Sequence, residues 1–231
     1  MRRTFGLYGA LLLLLQGVIA CGPAQQPAKE QVKPLQATKA GVAADNLVVV
    51  FGDSLYAGYK LGPNEGFAPQ LQAALQVDGF SVRVHNAGVS GDTSDAGRIR
   101  LNFVLDNLGR KPDLLLLGLG GNDMLRGIKP AETKANLSAM LDELKRRGIP
   151  VIVTGILASP NMGPDYADAF NPVFPSLAKQ YGAPLYPFFL QGVVADKALM
   201  LGDDIHPNAK GVAVIVKGIE PMVTAALRAK K

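Results

Sequence analysis

The sequence predicts an α/β domain in which helices flank a parallel β-sheet. Strand-like and helix-like segments alternate five times along the chain, and most of the strand-like segments are unbroken apolar runs. Alternation of this kind is typical of parallel sheets, and unbroken apolar runs are typical of strands that are covered on both faces. With 231 residues, 48% of them hydrophobic, the chain can form one good-sized domain but is too short for two.

The five strands are predicted from short β-branched or apolar runs, several of which end in turn-forming residues. They lie within NLVVVFGDS (46–54), FSVRVHNAG (80–88), PDLLLLGLGGND (112–123), IPVIVTGIL (149–157) and APLYPF (183–188).

Five helices are predicted between and after these strands, at 66–79, 92–108, 131–147, 167–181 and from Asn208 onward. Apolar residues at helical spacing indicate which face of the first three is buried. These are Phe67, Leu71, Ala74 and Leu75 in the first helix, Ile99, Phe103, Leu105 and Leu108 in the second, and Leu137, Met140, Leu141 and Leu144 in the third.

The amino-terminal residues predict export. Residues 1–20 carry Arg2 and Arg3, then an apolar run that contains LLLLL, then small residues, which is the layout of a secretory signal. The apolar run is too short for a permanent membrane-spanning helix. The formal charge of +5 includes the two arginines, and no Lys/Arg run is interleaved with aromatic residues, so nucleic acid is not an expected partner.

The only cysteine, Cys21, directly follows the residues VIA. This pattern resembles the lipobox of bacterial lipoproteins, in which the cysteine is acylated and becomes the new amino terminus. The alternative is cleavage after Ala20, which would leave a free thiol in an oxidising compartment. We expect a lipid on Cys21, a flexible Ala-, Gln-, Pro- and Lys-rich tether over residues 21–45, and a folded domain over residues 46–231.

Unusual polar residues follow four of the five predicted strands. Ser54 follows the first strand, residues 88–93 the second and residues 120–123 the third, and His206 comes after the fifth. Reactive groups in parallel sheets lie on the loops at the carboxyl ends of the strands. We therefore expect these four clusters to meet at one edge of the sheet.

Ser54 and His206 are a candidate nucleophile and a candidate base. A serine hydroxyl is a weak nucleophile unless a base takes its proton. Gly52 permits a sharp turn that would expose Ser54 near the start of a helix, although a helix-capping role explains this serine equally well. His206 lies in a polar loop, where an ordinary surface histidine is the alternative.

Gly91 and Asn122 are candidate donors to an oxyanion. The loop NAGVSGDTS (86–94) can aim the N–H of Gly91 at a developing negative charge, and Asn122 can add a side-chain N–H. A plain turn before a helix that Asp92 or Thr93 caps is the alternative for this loop. The run GLGGNDM (118–124) lacks the third glycine and the Lys-Ser/Thr of a phosphate-binding loop.

Four motifs occur in order along the chain: GDSL, NAGVSGDTS, GGND and DDIHPN. The set resembles the SGNH (GDSL) hydrolase family over residues 46–227. It is most similar to the bacterial branch that contains acyl-thioesterase, lysophospholipase and arylesterase enzymes. The segments GGNDMLRG and FPSLAKQYGAPLYPFF also resemble this branch.

The resemblance implies a fold, a site and an absence of cofactors. The fold is a three-layer α/β/α sandwich with a five-stranded parallel sheet, like flavodoxin. Ser54 would be the nucleophile and His206 the base, oriented by Asp203. The backbone N–H of Ser54, Gly91 and Asn122 would form the oxyanion hole, and no metal or cofactor is expected.

Asp203 competes with Asp204 for the role of orienting His206. In a compact turn, a residue three positions before the histidine can lie beside its ring, whereas a residue two positions before usually points to the other side. This geometry favours Asp203, in agreement with the family pattern. Asp204 is then a solvated loop charge or at most a cap, and Asn208 can cap the last helix.

Residues 156–174 lie where the family branch carries a mobile substrate-binding loop. Met162, Phe170 and Phe174 in this segment favour fatty acyl or aryl substrates, unless they pack between helices instead. The second histidine, His85, ends the second predicted strand, and we interpret it as structural.

The function predicted from these features is hydrolysis of esters or thioesters through an acyl-serine intermediate. Aryl esters, lysophospholipids and acyl thioesters are the substrate classes that the resemblance implies. The alternatives are a carbohydrate acetylesterase and a non-catalytic lipoprotein that binds a ligand in the same cleft. Because Gly22 rather than aspartate follows Cys21, we expect an anchored protein that faces the periplasm from the outer membrane.

Overall fold

The computed structural model describes residues 45–229 and shows one five-stranded, fully parallel sheet. Its strands are β1 (Asn46–Gly52), β2 (Val82–Gly88), β3 (Leu114–Gly118), β4 (Val151–Thr154) and β5 (Leu185–Tyr186). The order across the sheet is β2-β1-β3-β4-β5. The predicted parallel sheet and its five strands are confirmed, and the strand order is the flavodoxin-like one.

The helices connect these strands in chain order. They are α1 (Ser54–Ala57), α2 (Phe67–Val77), α3 (Ser94–Asp106), α4 (Gly121–Leu125), α5 (Pro130–Arg146), α6 (Pro164–Phe170), α7 (Val173–Tyr181) and α8 (Ala209–Ala229). Short 3-10 turns occupy Pro160–Met162 and Lys197–Leu199. Within residues 45–229, no helix is both long enough and apolar enough to cross a membrane.

The helices form two layers. On one face α2 packs against α8, and on the other α3 packs against α5, which in turn packs against α7. This division follows from right-handed crossovers, because the chain winds outward from β1 to β2 and then back past β1 to β3, β4 and β5. The reversal places a crevice between the carboxyl ends of β1 and β3, where α/β sheets bind ligands.

Tyr56 fixes the short helix α1 against the ends of the central strands. Its ring lies so close to both glycines that an added Cβ atom would come within 2.3 Å of it at Gly52 and within 2.2 Å of it at Gly118. The ring stacks on Phe189 at 4.7 Å between centroids, and its hydroxyl hydrogen-bonds the Thr154 hydroxyl. Only glycine at both strand ends allows this approach, so α1 lies directly on the sheet.

The buried face of α3 differs from the predicted one. Its buried residues are Ser94, Gly97, Leu101 and Leu105, and Leu108 is buried just beyond the helix. Ile99 and Phe103 were predicted to be inside but are 69% and 72% exposed. At Gly97 an added Cβ would come within 2.2 Å of Leu119, so the helix approaches the sheet through its smallest residues. A search for apolar residues at helical spacing could not identify this buried face, because part of it consists of glycine and serine.

Two further elements are shorter or more divided than predicted. The helix expected over 167–181 is split into α6 and α7, because Pro172 lacks the N–H that a continuous helix requires. The strand expected within 183–188 is reduced to Leu185 and Tyr186, which Pro184 and Pro187 flank.

Replacing Leu101 by Ala should destabilise the domain far more than replacing Phe103 by Ala. Leu101 is 2% exposed, and its truncation leaves a cavity, which typically costs about 2–5 kcal/mol. Phe103 lies in solvent, so its loss should change the free energy of unfolding by about 0.5 kcal/mol or less. Urea denaturation of both variants measures the difference, and an equal or larger loss in the Phe103 variant would contradict the observed face of α3.

Candidate active site

The four predicted polar clusters meet at the carboxyl edge of the sheet. They line one cleft of about 520 Å³, to which Ser54, Gly91, Asn122 and His206 all contribute. Ser54 comes from the start of α1 after β1, Gly91 from the loop after β2, and Asn122 from α4 after β3. The sheet therefore brings together residues that are up to about 150 positions apart in the chain.

Ser54 is the first residue of α1 and does not cap the helix. The capping residue is Asp53, whose Oδ1 accepts a hydrogen bond from the Leu55 N–H at 3.0 Å. The cap role that could have explained Ser54 thus belongs to its neighbour. The Ser54 hydroxyl is left to face the cleft, where its Oγ lies 2.8 Å from Nε2 of His206.

The His206 ring bridges Ser54 and Asp203. Its Nδ1 lies 2.9 Å from Oδ2 of Asp203, and its Nε2 faces Ser54. A carboxylate can only accept a hydrogen bond, so Nδ1 carries the proton and Nε2 is free to accept from the serine hydroxyl. Asp204, the competing aspartate, makes no contact of this kind and has a left-handed backbone with φ of 55°.

The turn that carries Asp203 holds its carboxylate in the charged form. Partial burial alone would raise the pKa of this carboxyl. However, hydrogen bonds from the backbone N–H of His206, the His206 ring and the backbone N–H of Ile205 outweigh that effect and lower the pKa to about 2. The negative charge is therefore present throughout the range in which the histidine could act as a base.

Backbone hydrogen bonds keep His206 at the rim of the cleft. Its carbonyl accepts from the Leu201 N–H at 2.7 Å, and Asn208 caps α8 as predicted, accepting from the N–H groups of Lys210 and Gly211. The ring of Tyr59 packs on the imidazole with centroids 4.5 Å apart. The histidine is thus held from both sides.

Gly91 and Asn122 form the wall of the cleft beside Ser54. Gly91 has φ of 87°, a backbone conformation that favours glycine. Asn122 donates one side-chain N–H to the Asp92 carbonyl at 2.9 Å, which fixes the carboxamide and leaves its second N–H available. Among residues 45–229, neither the N–H of Ser54 nor that of Gly91 has a hydrogen-bond acceptor. The wall therefore offers three free donors.

Asp53 is a buried carboxyl that the sequence did not reveal. Its side chain borders the cleft although the residue is only 3% exposed. Burial raises its pKa to about 7, although hydrogen bonds from backbone N–H groups oppose the shift, and the neighbouring carboxylates of Asp123 and Asp92 raise it further. The only sequence signal for it is a polar residue between an apolar strand and Ser54.

The rest of the cleft is mostly apolar. Its walls include Leu55, Met124, Leu125, Ile156, Leu157, Phe188, Leu190, Val194 and Ile205. Of the segment 156–174, only residues 156–160 line it. Phe170 and Phe174 are 0% and 2% exposed and pack in the core, and Met162 packs against the core too, so of the two interpretations of these residues the structure supports packing rather than substrate contact.

His85 lies on β2, away from the cleft, and pairs with Val49 of β1. Partial burial lowers the pKa of its ring, and the positive charge of Arg83 lowers it further. Because His85 does not line the cleft, it is not a second base of the site. Within residues 45–229, no group of three or more His, Cys, Asp or Glu side chains could hold a metal ion.

The sequence model of the GDSL-like Lipase/Acylhydrolase family matches residues 50–214. This chain belongs to that family. Among its GDSL-like relatives, Esterase TesA of Pseudomonas aeruginosa is 38% identical over 179 residues, which are 78% of this chain and 88% of TesA. The thioesterase 1/protease 1/lysophospholipase L1 of Escherichia coli K12 is 36% identical over 185 residues, covering 78% of this chain and 86% of the relative.

Solved GDSL-like structures share the fold. AlinE4, described as an SGNH-hydrolase family esterase, has a TM-score of 0.68 at 45% identity, covering 78% of this chain and 96% of that one. The structure of TesA has a TM-score of 0.74 at 36% identity, covering 78% of this chain and 99% of TesA. The predicted family and sandwich fold are confirmed. As a GDSL-like enzyme, the chain is an acyl hydrolase that acts on small-molecule esters.

Replacing Asp53 by Asn should change how stability depends on pH. The folded-state pKa of about 7 lies above the unfolded value of 3.8, so the stability that protonated Asp53 contributes is fully present below about pH 4 and is lost as the pH rises toward 7. The loss should approach about 1.4 kcal/mol per pH unit in that window. Asn still caps α1 but cannot ionise, so urea midpoints measured from pH 4 to 8 should lose this slope. Parallel wild-type and variant curves would contradict a protonated Asp53.

Proposed function

We propose that Ser54 is the nucleophile of a double-displacement ester hydrolysis, with His206 as base and Asp203 as its orienting carboxylate. The observation that carries the proposal is the chain of hydrogen bonds from Ser54 Oγ to His206 Nε2 at 2.8 Å and from Nδ1 to Asp203 at 2.9 Å. This chain opens into a cleft whose wall holds three N–H donors. A nucleophile, a base and an orienting group in this order are the parts of a serine triad.

In the first step, Ser54 Oγ attacks the ester carbonyl carbon while His206 Nε2 takes the hydroxyl proton. The carbonyl π electrons move onto oxygen, and the N–H groups of Ser54 and Gly91 and the Asn122 side chain stabilise the resulting oxyanion. Loss of a single donor of this kind typically slows an enzyme by about 10²–10³-fold. The imidazolium then returns its proton to the departing alcohol oxygen, and the acyl group stays on Ser54.

In the second step, water replaces the alcohol. His206 takes a proton from the water as its oxygen attacks the acyl carbon, and a second oxyanion forms in the same position. Collapse of this intermediate breaks the bond to Ser54 Oγ, which recovers its proton from His206. The products are the free acid and the original enzyme. Asp203 stays ionised throughout and stabilises the imidazolium.

The substrates that fit the cleft best carry an apolar acyl or aryl group. Its walls are mostly aliphatic, and several of them, among them Leu125, Leu157 and Val194, are about half exposed at its rim. Burial of each methylene group gains about 0.8 kcal/mol. Relatives named esterase, arylesterase and thioesterase/lysophospholipase agree with oxygen esters and thioesters of this kind. A carbohydrate acetylesterase would need more polar side chains along these walls.

The enzyme is further proposed to be a lipoprotein that faces the periplasm from the outer membrane. This proposal rests on the lipobox-like VIAC, the tether that follows it and the glycine after Cys21. Cys21 and all of the tether except Asp45 lie outside residues 45–229, so the proposal rests on sequence alone. A lipid at this position would bring the hydrolase to a surface rich in acyl esters.

Replacing Ser54 by Ala should leave a folded protein with less than about a hundredth of wild-type kcat on p-nitrophenyl esters, because the acyl group then has no acceptor. Steady-state kinetics and a thermal melt measure the two quantities. Activity above that level in the variant would show that another group attacks the ester.

Asp203 and Asp204 provide a matched pair for the orienting role. Asp203→Asn should lower kcat by several orders of magnitude, since an amide at this position supports the wrong histidine tautomer, which typically costs about 10⁴-fold. Asp204→Asn removes an equal charge at the adjacent residue and should change kcat less than about threefold. Equal losses in the two variants would exclude Asp203 as the specific partner of His206.

The cleft should prefer longer acyl chains. On p-nitrophenyl esters, kcat/KM should rise at least about tenfold from acetate to octanoate as methylene groups are buried. Leu157→Asn should reduce this ratio, because Leu157 lines the cleft and is 45% exposed. Ile99→Asn, at an exposed apolar residue outside the cleft, is the control and should leave the ratio unchanged. A preference for acetate in the wild type would favour the acetylesterase alternative.

Replacing Cys21 by Ser should move the enzyme from the membrane fraction to the soluble fraction and leave kcat and KM unchanged. Cys21 is the only cysteine, so no other thiol can carry the lipid. Fractionation of the producing bacterium and intact-protein mass spectrometry measure the outcome. A wild-type protein that is soluble and carries no acyl mass would show that residues 1–20 are an ordinary signal sequence.

A further inference from the structure

Arg100 of α3 connects the loop that carries Gly91 to the end of β1, the strand that precedes Ser54. Its Nε lies 2.5 Å from Oδ2 of Asp92, and its Nη2 donates to the carbonyl of Gly52 at 2.9 Å. The guanidinium plane packs over the Phe51 ring, 4.0 Å from its centroid. One side chain therefore contacts both the loop that carries Gly91 and the end of β1 that precedes Ser54.

The pair of Arg100 and Asp92 is well shielded from solvent. The two side chains are 18% and 12% exposed, whereas those of Arg98 and Asp95, on the surface of the same helix, are 44% and 55% exposed. Shielded charges interact more strongly than surface ones, and the rigid guanidinium fork fixes the direction of each hydrogen bond.

Asp92 links Arg100 to the oxyanion donors through backbone hydrogen bonds and its neighbour in the chain. Its carbonyl accepts from the Asn122 side chain at 2.9 Å, and its N–H donates to Val89 at 3.2 Å. Gly91 is its direct neighbour, and the Gly52 carbonyl that Arg100 binds also accepts from the Val89 N–H at 3.0 Å. Gly52 lies two residues before Ser54. Each of the three donors is thus linked to this ion pair. Asn122 binds the Asp92 carbonyl, Gly91 precedes Asp92 in the chain, and Ser54 follows Gly52, whose carbonyl Arg100 binds.

We propose that Arg100 is a positioning residue that sets the spacing of the oxyanion donors on Gly91, Asn122 and Ser54. The proposal rests on the proposed function, because it assigns those donors to the oxyanion. Arg100 itself touches no reacting atom. Without its fork, Asp92 would be a shielded carboxylate without its cation, and the loop would shift to bring it to water. The donors would then stabilise the transition state less, while the walls that bind the acyl group would be unchanged.

The test compares Arg100→Met and Arg100→Lys with the matched control Arg98→Met in the full-length enzyme. Met keeps the packing on Phe51 but removes all donors, so kcat on p-nitrophenyl butyrate should fall about 10–100-fold with KM changed less than about threefold. Lys keeps the charge but cannot bind Asp92 and Gly52 together in the same way, so it should recover only part of the rate. Arg98→Met should keep kcat within about twofold.

Coupling to Asn122 separates positioning from simple stabilisation of the fold. If Arg100 acts through the oxyanion donors, Arg100→Met combined with Asn122→Ala should lose less activity than the product of the two single losses. A multiplicative loss, or a lower melting temperature with unchanged kcat in Arg100→Met, would overturn the proposal. If Arg100→Met does not fold, Asp92→Asn and Arg100→Lys are tested for the same split between kcat and KM.

Failure of this inference can be distinguished from failure of the proposed function. If Ser54→Ala is inactive and Asn122→Ala lowers kcat while Arg100→Met does not, only the role of Arg100 is wrong. If Ser54→Ala retains activity, the site itself is wrong.

Discussion

The close approach of α1 to the sheet is the constraint on which the site depends. The Tyr56 ring occupies the space that side chains at Gly52 and Gly118 would need, and its hydroxyl reaches Thr154 on a third strand. A larger residue at either glycine would lift α1 from the sheet and take Ser54 with it. Since the other donors and the histidine are fixed by separate loops, a displaced Ser54 would lose its alignment with all of them at once. Glycine at these two strand ends is thus a requirement of the site as much as of the fold.

The two carboxyl groups beside Ser54 have different pKa values because they differ in exposure to solvent and in hydrogen bonding. The Asp203 carboxylate is partly exposed and receives several N–H donors, which keep its pKa near 2, while the more deeply buried Asp53 has a pKa near 7. Below the pKa of Asp53, the two carboxyl groups beside Ser54 therefore differ in protonation, and only Asp203 then carries the charge that balances an imidazolium. An ionised Asp53 would add a negative charge next to Ser54 that opposes the oxyanion, so the raised pKa of Asp53 suits the chemistry. The shielded pair of Arg100 and Asp92 adds no net charge to this balance.

Much of this could be predicted from the sequence because apolar runs and turn residues report on local structure. The five parallel strands and the converging loops followed from such runs, and the turn before His206 favoured Asp203 over Asp204. The prediction failed where distant packing decides the outcome. Ile99 and Phe103 are exposed because Gly97 faces the sheet, and Phe170 and Phe174 pack in the core rather than in the cleft. The burial of Asp53 and the reach of Arg100 to Gly52 depend on tertiary distances that no local pattern encodes.

The chain enters the domain at the pole opposite the cleft. Asn46 begins β1 at the amino edge of the sheet, and Ser54 follows the carboxyl edge of the same strand, about 23 Å away for seven residues of strand. An anchor upstream of Asn46 would therefore join the domain on its far side. Residues 21–45 can span at most about 80–90 Å when fully extended, which exceeds the length of β1 several times. The proposed anchor would therefore leave open the direction in which the cleft faces, and both soluble esters and acyl chains of a membrane would be within its reach.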